Sequence, residues 1–335
     1  MKRNLLALVC SMGLAAACGN DVNMMMTGDT DHTTAEGMEY KFVASALIVP
    51  QMKSDFAIDL NGDAKPDNQL GNVIGALASQ MLDTQGGIDM AVAAGNAIVL
   101  ASYQSTDPTL KTAANPGATV YLGKSMMMPD YTGAGMFMVD TAQAPAKFFG
   151  TLANGKFSSN NPATTKVPVS VTIGLPLIPG GAPVPLKLNG AHIQIQNANC
   201  PANPTTGKTP MMCGQLHGSI KNSDIQTTII PAVASLLSTQ VMNNPMSSSS
   251  KQILNIFDVG NGNGGNCTNP DNTMGVPMDG KISTCEVAGN ALVGNLLVPD
   301  IQVFDSAGSY APNKTNTMKD SLSLGIGFEL AVAKF

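Results

Sequence analysis

The feature that most restricts the fold is a long alternation near the C-terminus. Leu322, Leu324, Ile326, Phe328, Leu330 and Val332 alternate with Ser321, Ser323, Gly325, Gly327, Glu329 and Ala331. Successive side chains of a strand point to opposite faces, so this run is a strand with one apolar face. Similar alternation recurs from Met38 onward. Tyr40 to Val49 reads as an opening strand, Ala97 to Tyr103 as a second, and Thr119 to Leu122 and Met136 to Val139 as short ones. Lys147 to Phe157 contains Asn154-Gly155, the favoured two-residue hairpin turn. From Val167 to Leu177 the alternation includes Pro168 and Pro176, which puts that strand at an edge or a bulge. Gly180-Gly181 turns the chain. Val184, Leu186 and Leu188 continue out of phase into Ile193 and Ile195, which predicts a bulge at Gly190.

Helical segments are fewer: Asn72 to Gln80, Asp83 to Ala94 stopped by Gly95, Ala232 to Val241 opened by Pro231, Ser249 to Phe257, and Glu286 to Leu297 closed by Pro299. The expected class is α+β, mainly β. One domain, 38–335, holds an antiparallel β core with a few short helices. The terminal Phe335 invites an outer-membrane barrel, but counting back by twos puts Glu329 on the face that would meet lipid and the Leu/Ile series inside.

The N-terminus has the layout of a secretory signal. Lys2 and Arg3 precede an apolar stretch from Leu5 to Ala17, and three alanines precede Cys18. This resembles a bacterial lipoprotein signal, which implies cleavage after residue 17 and acylation of Cys18. Gly19 rather than Asp at the next position resembles outer-membrane sorting. Residues 18–37 are polar and aperiodic and read as a tether. Removing the signal removes the only arginine in the chain and leaves 16 lysines against 23 acids, so 16 − 23 gives −7. A surface of that sign with no guanidinium excludes a nucleic-acid stripe and bidentate anion recognition. No apolar run reaches the roughly 18 residues of a membrane span, apart from the shorter N-terminal one.

Four cysteines remain in the mature chain: Cys200, Cys213, Cys267 and Cys285. Four allow three pairings. The expected pairs are Cys200–Cys213 and Cys267–Cys285, each flanking one Gly/Asn/Pro-rich loop, and each closure contributes about 3 kcal/mol. Zinc is the alternative, but there is no C-x-x-C spacing.

The residues richest in chemistry are Asp59-Leu60-Asn61-Gly62-Asp63-Ala64-Lys65-Pro66-Asp67. Oxygen-bearing side chains recur at alternate positions of a tight loop, which suits a hard cation taking six to eight oxygens. Asp59, Asn61, Asp63 and Asp67 would supply side chains and Lys65 a carbonyl. The segment resembles the DxDxDGxxD loops of integrin-type propellers and, more loosely, EF-hand and dockerin loops. It departs from them in Ala64, where glycine is usual, and in Leu70, where an EF-hand has its bidentate Glu. A second candidate is split across 258–286. Asp258 closes a helix, and Asp279-Gly280-Lys281-Ile282-Ser283-Thr284-Cys285-Glu286 resembles the back half of an EF-hand loop. That resemblance implies an EF-hand-like helix–loop–helix near the C-terminus. Asp258, Asp279, Ser283 and Glu286 would give side chains there, Lys281 a carbonyl, and Asn261 or Asp271 the remaining ligand. As a whole the chain looks like predicted bacterial lipoproteins carrying a DLNGDGxxDNxLG-like segment, here Asp59 to Gly71, a likeness that implies no activity.

Other features are weaker. His32 lies in the tether, His192 shares parity with Gln194 and Gln196 and so faces water, and His217 lies near a strand end. No G-x-S-x-G, H-E-x-x-H or S-x-x-K accompanies them, and Gly260 to Gly265 is not followed by Lys-Ser/Thr. The clusters Met24–Met26, Met126–Met128 and Met211–Met212 suggest copper(I), but they lack regular spacing, and Met is expected as an adaptable core filler. The role the sequence supports is non-catalytic: a calcium-stabilised, lipid-anchored envelope protein that binds a protein or glycan or has a structural part. The alternatives are a secreted hydrolase or glycan-active enzyme without a recognisable motif, and a copper-handling lipoprotein.

Overall fold

The alternating segments pair with their sequence neighbours and close on themselves. A computed structural model describes residues 33–79, 84–125, 127–175, 183–197, 199–203, 207, 209–261 and 265–335. The signal, Cys18, the tether through His32, Gly180-Gly181 and Met126 lie outside the described residues. Eight strands form the closed wall: β1 (Met38–Ile48), β2 (Val99–Ser105), β3 (Gly117–Ser125), β5 (Ala146–Ala153), β6 (Lys156–Ser159), β8 (Val184–Gln196), β9 (Met212–Lys221) and β12 (Ser321–Val332). Each pairs antiparallel with the next, and β12 returns to β1, so no wall strand is left with an open edge. β4 (Phe137–Val139) extends β3, and β7 (Ser170–Leu175) extends β8.

An eight-stranded barrel has an interior just wide enough for side chains to fill. Here Ala44, Leu47, Ala101, Val120, Ile193, Leu216, Ile326, Phe328 and Leu330 fill it, leaving a cavity of about 30 Å³ lined by apolar side chains alone. The parity argument therefore holds for β12: its Leu/Ile/Phe series points inward. What it did not anticipate is closure, because parity says nothing about whether the last strand meets the first. Glu329 points outward, is buried, and accepts a 2.7 Å hydrogen bond from Asn203 Nδ2.

Local chemistry explains the turns. Asn154 and Gly155 both have positive φ, 53° and 77°, as the twist-matched hairpin turn requires. The phase slip at Gly190 is a bulge: Asn189 pairs with Ser219 and His192 with His217, with the register shifted between them. Gly190 has φ +57°, and an added Cβ would lie 2.1 Å from the Tyr310 hydroxyl. A second bulge lies between Ala44 and Ala46 on β1.

Helices fill two insertions. α1 (Gln69–Ser79) and α2 (Thr84–Ala93) lie between β1 and β2. Between β9 and β12 come α3 (Asn222–Asp224), a π turn (Ile225–Ile229), α4 (Ile230–Asn243), α5 (Ser248–Phe257), the short strands β10 (Cys267–Thr268) and β11 (Met274–Gly275), α6 (Thr284–Gly289) and α7 (Ala291–Leu296). Asn222–Asn243 is one helical stretch, long and apolar enough by length and composition to cross a membrane, although its longest uninterrupted apolar run is only Ile229 to Ala234. Ile225, Ile229, Ala234, Leu237 and Val241 lie buried along it in the main core. The sequence does not announce β9, because Gly214, Gly218 and Ser219 dilute its alternation.

Candidate metal centre

The first candidate loop hangs outside the barrel wall, between β1 and α1. An antiparallel bridge between Ile58 and Asp67 closes its neck, with Asp67 N–H donating to Ile58 O at 2.7 Å. Leu60 is the loop's apolar anchor and sits in a small separate core with Ile301, Val303 and Phe304. Asn68, fully buried, ties the loop's end to the wall: its Nδ2 donates to Gly325 O and its Oδ1 accepts from Gly325 N–H. Gly325 has to be glycine there, because an added Cβ would lie 2.0 Å from Phe56 O.

Within the loop the acids hold the backbone in a tight coil. Asp59 accepts from the N–H groups of Asn61, Gly62 and Ala64, Asn61 Oδ1 from Asp63 N–H, and Asp63 Oδ1 from Lys65 N–H. Gly62 and Ala64 both have positive φ, +86° and +64°. Ala64 therefore occupies the left-handed conformation that glycine adopts without steric penalty. This is the strain expected from the missing glycine.

The coil brings three carboxylates together. One oxygen from each of Asp59, Asp63 and Asp67 lies within 4.8 Å of the others. Asp67 is 5% exposed, and its carboxyl is pushed up to about 7, chiefly by burial. The Leu60 N–H opposes that shift, while the charges of Asp300, Asp63 and Asp59 add to it. Asn61 is also buried, and its Nδ2 has no hydrogen-bond partner.

Two neighbours were not visible in the sequence. Asn316 Nδ2 donates to Asp63 Oδ2 at 3.2 Å. Asp300 presses on Asp67 electrostatically while its own oxygens accept from Ser323 N–H and Oγ. Both come from more than 200 residues away in the chain, so no local spacing announces them.

The second loop is arranged differently. Asp258 accepts from the N–H groups of Asp279 and Gly280. Glu286 accepts from Gly260 N–H through Oε1 and from Ser283 N–H through Oε2, the latter closing a capping box at the start of α6. Asp279 and Lys281 are exposed, with Lys281 N–H donating to Asp279 Oδ1. Asn261 Oδ1 accepts from Gly265 N–H, and Asp271 from Thr273. The segment between α5 and α6 carries the β10–β11 hairpin, and both helices pack on α4, so an EF-hand pair is not what these contacts make. Among the described residues, Asp59, Asp63 and Asp67 form the one group of three or more such ligands gathered tightly enough for a metal.

The cysteines pair as expected, Cys200 with Cys213 and Cys267 with Cys285. The histidines correct the forecast. His192 is buried rather than facing water, because Ser159 and Asn160 fold over its ring: Nδ1 lies 2.8 Å from Ser159 Oγ and 3.1 Å from Asn160 O. His217 lies mid-strand in β9, wholly buried, its ring 5.8 Å from that of His192. Burial holds both imidazoles well below their ordinary value, so both are neutral at pH 7. Ser159 and His192 are both buried. No protein-family model matches the chain, and neither a curated protein nor a solved structure does.

Proposed function

We propose that this is a non-catalytic, exported protein, lipid-anchored through Cys18 at the outer membrane and stabilised by calcium at the 59–67 loop. The observation that carries the calcium reading is the convergence of Asp59, Asp63 and Asp67 within 4.8 Å, with Asp67 buried. Carboxylates so placed repel one another and desolvate, and a proton or a cation relieves both costs. Oxygen-only donors on a compact loop suit calcium, with Asn61 and the Lys65 carbonyl as the further ligands. In the second loop Glu286 caps a helix and the Cys267–Cys285 bond staples the segment, and calcium on Asp258, Asp279, Ser283 and Glu286 would add to both. Two disulfides favour an oxidising compartment, in keeping with the signal-like N-terminus. The barrel would then serve as a rigid scaffold presenting its loops to a protein or glycan.

Calcium titration of thermal melting tests the metal. At about 1 mM calcium and a Kd of order 10⁻⁴ M, the gain is about 1.4 kcal/mol. Asp59→Asn with Asp63→Asn should abolish it, and a melting temperature indifferent to calcium and chelator in the native protein would refute the site. Cys18→Ser tests the anchor: it should move the protein from the detergent-extracted to the soluble fraction, and unchanged membrane retention would refute acylation.

A further inference from the structure

The methionines lie on the wrong side of the protein for their usual role. Met is ordinarily among the residues most often buried. Here 13 of the 14 described methionines are exposed, and Met212 alone is in the core. The choice is specific to this side chain. Among the described residues the exposed large hydrophobics are these methionines and four valines, with no Leu, Ile or Phe. The expectation of a methionine-filled core is therefore reversed. Core space is filled by Leu, Ile, Val and Phe.

They lie on several elements: Met38 opens β1, Met127, Met128, Met136 and Met138 stand at the β3–β4 pairing, and Met318 lies just before β12. What exposed thioethers offer is reaction with oxidant. Competing groups are few. The chain has no tryptophan, and the four described cysteines are in disulfides.

We propose that the exposed methionines form a sacrificial layer that consumes two-electron oxidants, such as hypochlorous acid, at the cell envelope. The thioether sulfur is oxidised to sulfoxide by taking up the oxygen atom of one hypochlorous acid molecule, which leaves as chloride and a proton. The product is polar. On the surface it remains in water, whereas in a core it would carry the cost of a buried polar group. Keeping thioether out of the core is what lets the fold survive its own oxidation.

The test is graded hypochlorous acid on the full chain, with peptide mass spectrometry at each methionine and a thermal melt at each dose. The exposed positions should each gain one oxygen before Met212 does, with the melting transition retained. A variant with Met127, Met128, Met136, Met138, Met274 and Met278 changed to Leu should consume six fewer equivalents before a co-incubated thiol reporter protein is oxidised. A glutamine version of the same set covers the case in which six exposed leucines aggregate. Oxidation of Met212 in step with the others, loss of the fold at the first doses, or reporter protection unchanged in the variant would each overturn the proposal.

Discussion

Asp67→Asn separates electrostatic cost from structural contribution at the acidic loop, because its stabilising effect should shrink with calcium. In the native chain the Asp67 carboxyl is raised from 3.8 to about 7. The folded state therefore holds a proton that the unfolded state has lost between those two pH values. Without calcium, stability contributed here is present at low pH and falls as pH rises through that window. At about 1.36 kcal/mol per pH unit, ionised Asp67 at pH 8 costs the fold about 4 kcal/mol. Asparagine keeps an acceptor for the Leu60 N–H and removes the charge, while giving up about 1 kcal/mol of charge-assisted bonding. The variant should therefore be more stable than the native protein in chelator at pH 8 by about 2–3 kcal/mol. At roughly 2 °C per kcal/mol for a domain of this size, that is a rise of about 5 °C in melting temperature. In millimolar calcium the native protein gains and the variant does not, so the gap narrows. Differential scanning calorimetry at pH 5.5 and pH 8, in chelator and in calcium, reads all four conditions. A variant less stable than native by one fixed margin in all four would refute the reasoning, since it would make Asp67 a purely structural acceptor.

Three further outcomes follow from the fold. Gly155→Ala should cost about 1–2 kcal/mol in chemical denaturation, because φ is +77° and an added Cβ would lie 2.3 Å from Asn197 Oδ1; a neutral change would deny the turn its geometry. Cys267→Ser with Cys285→Ser should lower stability by about 3 kcal/mol while leaving the calcium-induced shift in melting intact, and loss of that shift would couple the two loops. His192 and His217 are held neutral by burial, so the unfolded state binds more protons than the folded one below about pH 6.5. Their contribution to stability is then lost as pH falls below that value; His217→Asn should flatten the acid limb of a stability–pH curve, and an unchanged limb would count against it.

Alternation and turn chemistry made much of the wall readable: β12, the Asn154-Gly155 hairpin and the Gly190 bulge each follow from rules acting over a few residues. The acidic loop was readable for the same reason, since Asp59, Asn61, Asp63 and Asp67 lie within one coil. Both disulfides were legible because each closes a short loop, 13 and 18 residues apart. Closure of the sheet was not, because it depends on β12 meeting β1 across almost the whole chain. The burial of His192 came from Ser159 and Asn160, more than 30 residues away, overriding a parity that is correct for the strand itself. The second acidic segment has EF-hand-like spelling, yet the fold sets no EF-hand helix pair around it and uses Glu286 as a cap, accepting from Gly260 and Ser283 N–H. Spacing along the chain determines which groups a loop offers. Only the tertiary fold decides which amides, charges and water compete for them, and so assigns Asp67 to the acidic cluster and Glu286 to a helix cap.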